Sequence, residues 1–99
     1  MGTVRLARMI DLPPEEVVGL SPAELAQHVL RDLISGGEWS AWNYVNEAQQ
    51  GRYRGDPAAA ISGAIEWLRG QGLIAHDPRN GSSWGAIVVT PAGHRAATR

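Results

Sequence analysis

Apolar residues recur at helical spacing in two stretches of this chain and at strand spacing in a third. Leu25, Val29, Leu30 and Leu33 fall on one side of a helix. Ser21-Pro22-Ala23-Glu24 precedes them, with a serine cap, proline at the first helical position and glutamate at the third. Leu20 and Leu25 are spaced as a hydrophobic staple around that capping box, and Gly36-Gly37 closes the run, so a helix is predicted over 21–35. At about 100° per residue, Ala58, Ile61, Ala64, Ile65 and Leu68 form a second apolar face. Asp56-Pro57 supplies an N-cap carboxylate and a first-turn proline, and Gly70-Gln71-Gly72 supplies the stop, predicting a helix over 57–69. A shorter helix is predicted over 40–50, with Trp42, Val45 and Ala48 inward, Tyr44 to one side and Gly51 at its end. Residues 1–19 form an N-terminal arm of weaker pattern, in which Pro13-Pro14-Glu15-Glu16 starts a short helical turn.

Strand patterning follows the third helix. Leu73-Ile74-Ala75-His76 and Trp84-Gly85-Ala86-Ile87-Val88-Val89 are apolar and β-branched, with Asn80-Gly81 between them as a turn signal, so a hairpin is predicted over 73–90. A two-residue turn there would set Ile74 opposite Ile87, Ala75 opposite Ala86, Leu73 opposite Val88 and Asp77 opposite Trp84, while Pro78 near the tip leaves a longer loop open. Thr90 then caps a last helix over 91–99, with Pro91 in its first turn. The expectation is one α+β domain over 1–99, mainly helical. It has three main helices, a two-stranded hairpin and a C-terminal helix, the second and third helices joined by a short glycine-containing turn as a helix-turn-helix unit. A last helix that ends about nine residues after its cap points to a domain from a longer chain or to a dimerising arm.

Composition narrows the class. Hydrophobic residues are 43% of the 99, enough for one modest core. No apolar run approaches the roughly 18 residues needed to span a bilayer, and Met1–Ile10 is too short and mixed for a secretory signal, so a cytoplasmic protein is expected. With no cysteine there is no thiolate chemistry, disulfide or cysteine-based zinc site. Charge divides unevenly. Residues 1–50 carry three arginines against seven carboxylates, net −4, and residues 51–99 carry six arginines against three, net +3. Every cation is arginine, the side chain suited to bidentate phosphate or carboxylate binding.

The run Glu66-Trp67-Leu68-Arg69-Gly70-Gln71-Gly72-Leu73-Ile74, the hairpin after it and Val89-Thr90-Pro91-Ala92-Gly93-His94-Arg95 resemble bacterial winged helix-turn-helix regulators. The resemblance covers about half the chain and implies a winged-helix fold with DNA binding and transcription regulation as the expected role. Asn43-Tyr44-Val45-Asn46-Glu47, with Trp67 and Trp84, is also similar to winged-helix domains that precede larger effector domains in defence-type proteins.

Two kinds of partner remain open. In a duplex-DNA reader the helix at 57–69 enters the major groove and the wing touches the backbone or minor groove. Arg52 and Arg54 would grip phosphates before the helix, Ser62 and Arg69 lie on its flank, and Arg79 and Asn80 sit at the wing tip. The outward face of the helix argues for protein. Ala59, Ala60, Gly63, Glu66, Trp67 and Gly70 offer no donor fork for a base edge, and Glu66 repels phosphate. A small-residue stripe with Ala59, Ala60 and Gly63 beside Trp67 suits a protein partner or a second copy, unless Met1–Leu12 folds over it. Trp39, Trp42, Trp67 and Trp84 are also candidates for stacking on unpaired bases, with at least two of them expected in the core. His28, His76 and His94 are scattered without an i, i+4 pair, so no metal is expected. No nucleophile elbow, phosphate-cradling loop or carboxylate pair occurs, and neither an enzyme nor a cofactor is expected.

Overall fold

The structure, a computed structural model, describes residues 12–36, 41–77 and 86–98. In chain order these form α1 (Pro14–Gly19), α2 (Pro22–Gly36), α3 (Ala41–Gln50), α4 (Asp56–Gly70), β1 (Ile74–His76), β2 (Ile87–Val89) and α5 (Pro91–Ala97). The described chain is therefore mainly helical with one antiparallel two-stranded sheet, an α+β arrangement. None of the described helices is long and apolar enough to cross a membrane.

Local signals set most helix ends. At the start of α2 the Ser21 N–H donates to Glu24 Oε1 (2.9 Å) and the Glu24 N–H donates to Ser21 Oγ (3.2 Å), the reciprocal capping box. Leu25 is buried and Leu20 packs against the same core, which fixes how the chain enters the helix. Along the next two turns Ala26, Val29, Leu30 and Leu33 are buried as well. Helix α4 buries Ala58, Ile61, Ala64, Ile65 and Leu68, the face its periodicity predicts. It ends in a Schellman arrangement: the Leu73 N–H donates to the Leu68 carbonyl (3.0 Å) and the Gly72 N–H to the Arg69 carbonyl (3.1 Å). Gly72 has φ +74°, the left-handed conformation that glycine adopts without cost.

Three expectations are corrected. Asp56 is the first residue of α4, and its side chain makes no capping bond. Gly55 takes the cap position at φ +87°, and its N–H donates to Gln49 Oε1 (3.2 Å), so the turn closes onto α3. On α3, Tyr44 is fully buried and not to one side, while Val45 is half-buried. The phenol ring supplies more apolar area than valine, so the helix rotates to seat it; the Trp42 side chain lies outside the described residues. In the sheet, Ile74 pairs with Val89, Ala75 with Val88 and His76 with Ile87. That register is two residues away from the one a two-residue Asn80-Gly81 turn would impose. The Asp77 N–H donates to the Ala86 carbonyl (3.1 Å), so the connection is residues 78–85, all outside the described set along with Asn80-Gly81 and Trp84. A shift of two keeps every side chain on its predicted face.

The sheet is clasped to the end of α4 by Thr90 and Gly93. Thr90 caps α5 by accepting from the Gly93 N–H (3.0 Å), and its hydroxyl donates to the Gly72 carbonyl (2.7 Å). Its own N–H donates to the Leu73 carbonyl (3.0 Å). Gly93 is buried, and a Cβ there would collide with the Leu73 carbonyl oxygen and the Val89 side chain. Around these contacts α2 packs most extensively on α4, with α1, α3 and β1 also resting on α4.

Gly93→Ala should cost about 2 kcal/mol or more, because backbone must move to admit the methyl group, whereas Thr90→Ala should cost about 1–2 kcal/mol; urea unfolding midpoints would check both. The Ser21 backbone N–H, and then its hydroxyl, hold the Glu24 carboxyl below the usual carboxylate range. A depressed folded-state pKa means that stabilisation is present at neutral pH and is lost as pH falls through that value. Wild type and Glu24→Ala should therefore differ most in urea midpoint near neutral pH and converge on acidification.

Candidate nucleic-acid interface

The five-residue turn Gly51–Gly55 carries the first two candidate cations. Arg52 and Arg54 are both exposed, and between them Tyr53 is buried, with 2% of its surface accessible. The Arg52 Nη2 donates to Tyr53 Oη (2.6 Å), and its guanidinium carbon lies 4.8 Å from the ring centroid. Tyr53 Oη in turn donates to the Leu12 carbonyl (3.1 Å), joining the turn to the segment before α1. Arg54 closes the turn through its backbone, its N–H donating to the Gly51 carbonyl (3.2 Å).

Along α4 the outward stripe is Ala59, Gly63, Glu66 and Gly70, all exposed, with Ser62 half-buried at its edge. Arg69 is exposed at the far end, and its Nε stands 3.7 Å from Glu66 Oε1. A contact of that length between exposed i, i+3 partners contributes little, so it leaves Arg69 largely governed by solvent. Arg69 is not brought together with Arg52 and Arg54. From Asp56 to Arg69 the helix rises about 20 Å, so the arginines stand at opposite ends of α4. Arg79 and Asn80 lie outside the described residues.

The alternative protein-contact set is also divided. Ala59 and Gly63 are exposed, whereas Ala60 and Trp67 are half-buried and packed against the core. Trp67 is thus a structural side chain in part and not a freely offered anchor. A Cβ at Gly63 would meet nothing within 4 Å. Among the described residues no three His, Asp or Glu side chains are grouped to hold a metal. His28 is half-buried, and His76 and His94 are exposed.

Three residues are buried without an expectation of it from the sequence. Asp32 on the inner side of α2 and Asp77 at the end of β1 are both 3% exposed. Nothing in periodicity marks a carboxylate as buried, because the same positions read as ordinary polar interruptions. Tyr53 did carry a signal: it is the one aromatic residue in a turn otherwise made of glycine and arginine.

Because Gly63 sits mid-helix with open space above it, Gly63→Ala should stabilise the fold by about 0.5–1 kcal/mol. Trp67→Ala should destabilise it by about 2 kcal/mol, since the indole is partly buried against the core. Thermal melts of the two single variants would check this opposite pair of signs. Comparison of the chain with protein-family models, with curated proteins and with solved structures finds no match.

Proposed function

We propose that this chain is a winged helix-turn-helix module that binds duplex DNA through arginine–phosphate contacts, with little direct readout of base sequence. The observation that carries this reading is the pair α3 and α4, joined by a tight turn that exposes Arg52 and Arg54 directly before the N-terminus of α4. The helix dipole gives that end a partial positive charge that favours phosphate, while Asp56 in the same turn opposes it. The antiparallel pair β1–β2 rests beside α4, where a wing would flank the groove. Arg69 adds a cation about 20 Å along the axis, the rise of roughly six base pairs.

The chemistry of the stripe limits specificity. Ala59, Gly63 and Gly70 have no side-chain donor, Glu66 carries the wrong sign for a phosphate, and Ser62 alone offers a hydroxyl. Strong base discrimination comes from forked donors such as arginine, asparagine and glutamine aimed at base edges, and none projects from this stripe. Backbone contacts therefore dominate the proposed affinity. A second reading draws on the same stripe: Ala59 and Gly63 would let another protein surface or a second copy approach α4 closely, within a larger regulatory or defence protein.

A fluorescence-anisotropy titration with a random-sequence duplex at several salt concentrations tests the first reading. Binding should weaken with a log–log salt slope of roughly −2 to −3, as expected for about three phosphate contacts. Arg54→Gln should reduce that slope by about 1 without changing the melting temperature. Absence of binding at low salt would reject the duplex reading. Concentration-dependent self-association abolished by Ala59→Arg would favour the second one.

A further inference from the structure

We infer that Tyr53 is a positioning residue for Arg52, fixing its guanidinium in the plane from which it meets a phosphate; this rests on the duplex-binding reading above. Residues 51, 52, 54 and 55 of the turn are exposed, yet the ring between the two arginines is inside the fold. A tyrosine hydroxyl has one proton and lone pairs to spare. Here the proton goes to the Leu12 carbonyl, which leaves the oxygen to accept from Arg52. The hydroxyl's donor direction is thereby committed to a residue 41 positions away in the chain, and its acceptor side is turned to the guanidinium.

The same ring acts on Arg52 twice. Its oxygen takes one N–H of the guanidinium at 2.6 Å, and its π face lies 4.8 Å from the guanidinium carbon, within cation–π reach. A guanidinium is a rigid planar fork of five donors, so fixing one N–H and the stacking distance fixes the plane of the whole group. A long arginine side chain otherwise loses rotamer freedom when it grips a phosphate. Tyr53 imposes that order before binding, on a residue that stays exposed at the mouth of the α3–α4 turn. Arg54, next in the chain, has no such ring contact among the described residues. Of the two arginines, Arg52 is the one that the ring holds.

The test uses the full chain and a random-sequence duplex, with wild type, Tyr53→Phe, Arg52→Gln and the double variant, each checked by circular dichroism. Tyr53→Phe keeps the buried ring and removes only the hydroxyl. It should weaken low-salt binding about three- to tenfold and flatten the salt slope by up to about one contact. In the Arg52→Gln background it should add no further loss. Arg52→Lys, which leaves Tyr53 untouched and keeps the charge but not the fork, should lose affinity as Tyr53→Phe does. Equal losses from Tyr53→Phe in both backgrounds would make the tyrosine purely structural and overturn the proposal. So would wild-type affinity in Tyr53→Phe or Arg52→Lys, with the duplex reading left standing. No binding by the wild-type chain would remove both.

Discussion

Burial of one face of α4 is the constraint on which the rest of this structure depends. Ala58, Ile61, Ala64, Ile65 and Leu68 are withdrawn from water along about three turns, and α2 supplies Leu25, Ala26, Val29, Leu30 and Leu33 to the same core. At about 25 cal/mol per Å² of apolar area, such side chains are the main favourable term available to a domain of this size. The small side chains Ala58 and Ala64 let elements approach α4 closely, and four other elements rest on it. Its ends are correspondingly defined: Gly55 turns the chain in from α3, and Gly72 turns it out toward the sheet. The Thr90–Gly93 clasp then ties α5 and β2 to that exit, so the end of α4 and the base of the hairpin form one junction.

Much of this was legible in the sequence because it is local. The capping box at Ser21 and Glu24, the Schellman glycine and the Thr90 cap each depend on residues within a few positions of one another. The buried face of α4 follows from a period of 3.6 residues alone. What the sequence concealed was long-range. Thr90 and the α4 exit are tied at the base of the sheet, where Ile74 pairs with Val89, two residues from the register that an Asn80-Gly81 turn suggests. Tyr44 is expected to one side of its helix and Tyr53 stands in a glycine- and arginine-rich turn, and only tertiary packing shows both rings to be inside. Asp56 looked like a cap because Asp-Pro is a common helix start, but the open conformation at Gly55 places the helix start one residue earlier.

The candidate site was legible in its residue types and less so in its geometry. Arg52, Arg54 and Arg69 are exposed as their charge requires. Their separation along α4 and the capture of Arg52 by Tyr53 are properties of the folded chain. The protein-contact alternative loses part of its basis where Ala60 and Trp67 turn into the core, and keeps Ala59 and Gly63. A stripe without forked donors, flanked by arginines at both ends of the helix, is the combination that the proposed backbone contact rests on.

The most direct measurement of that account is a titration followed residue by residue, using amide nitrogen–proton correlation spectra of the chain with a short random-sequence duplex at low salt. The account predicts perturbations at residues 51–55 and around Arg69 that disappear when salt is raised, with core residues such as Ile61 and Leu68 unmoved. Spectra unchanged by duplex, or perturbations confined to Ala59 and Gly63 that grow with protein concentration alone, would contradict it.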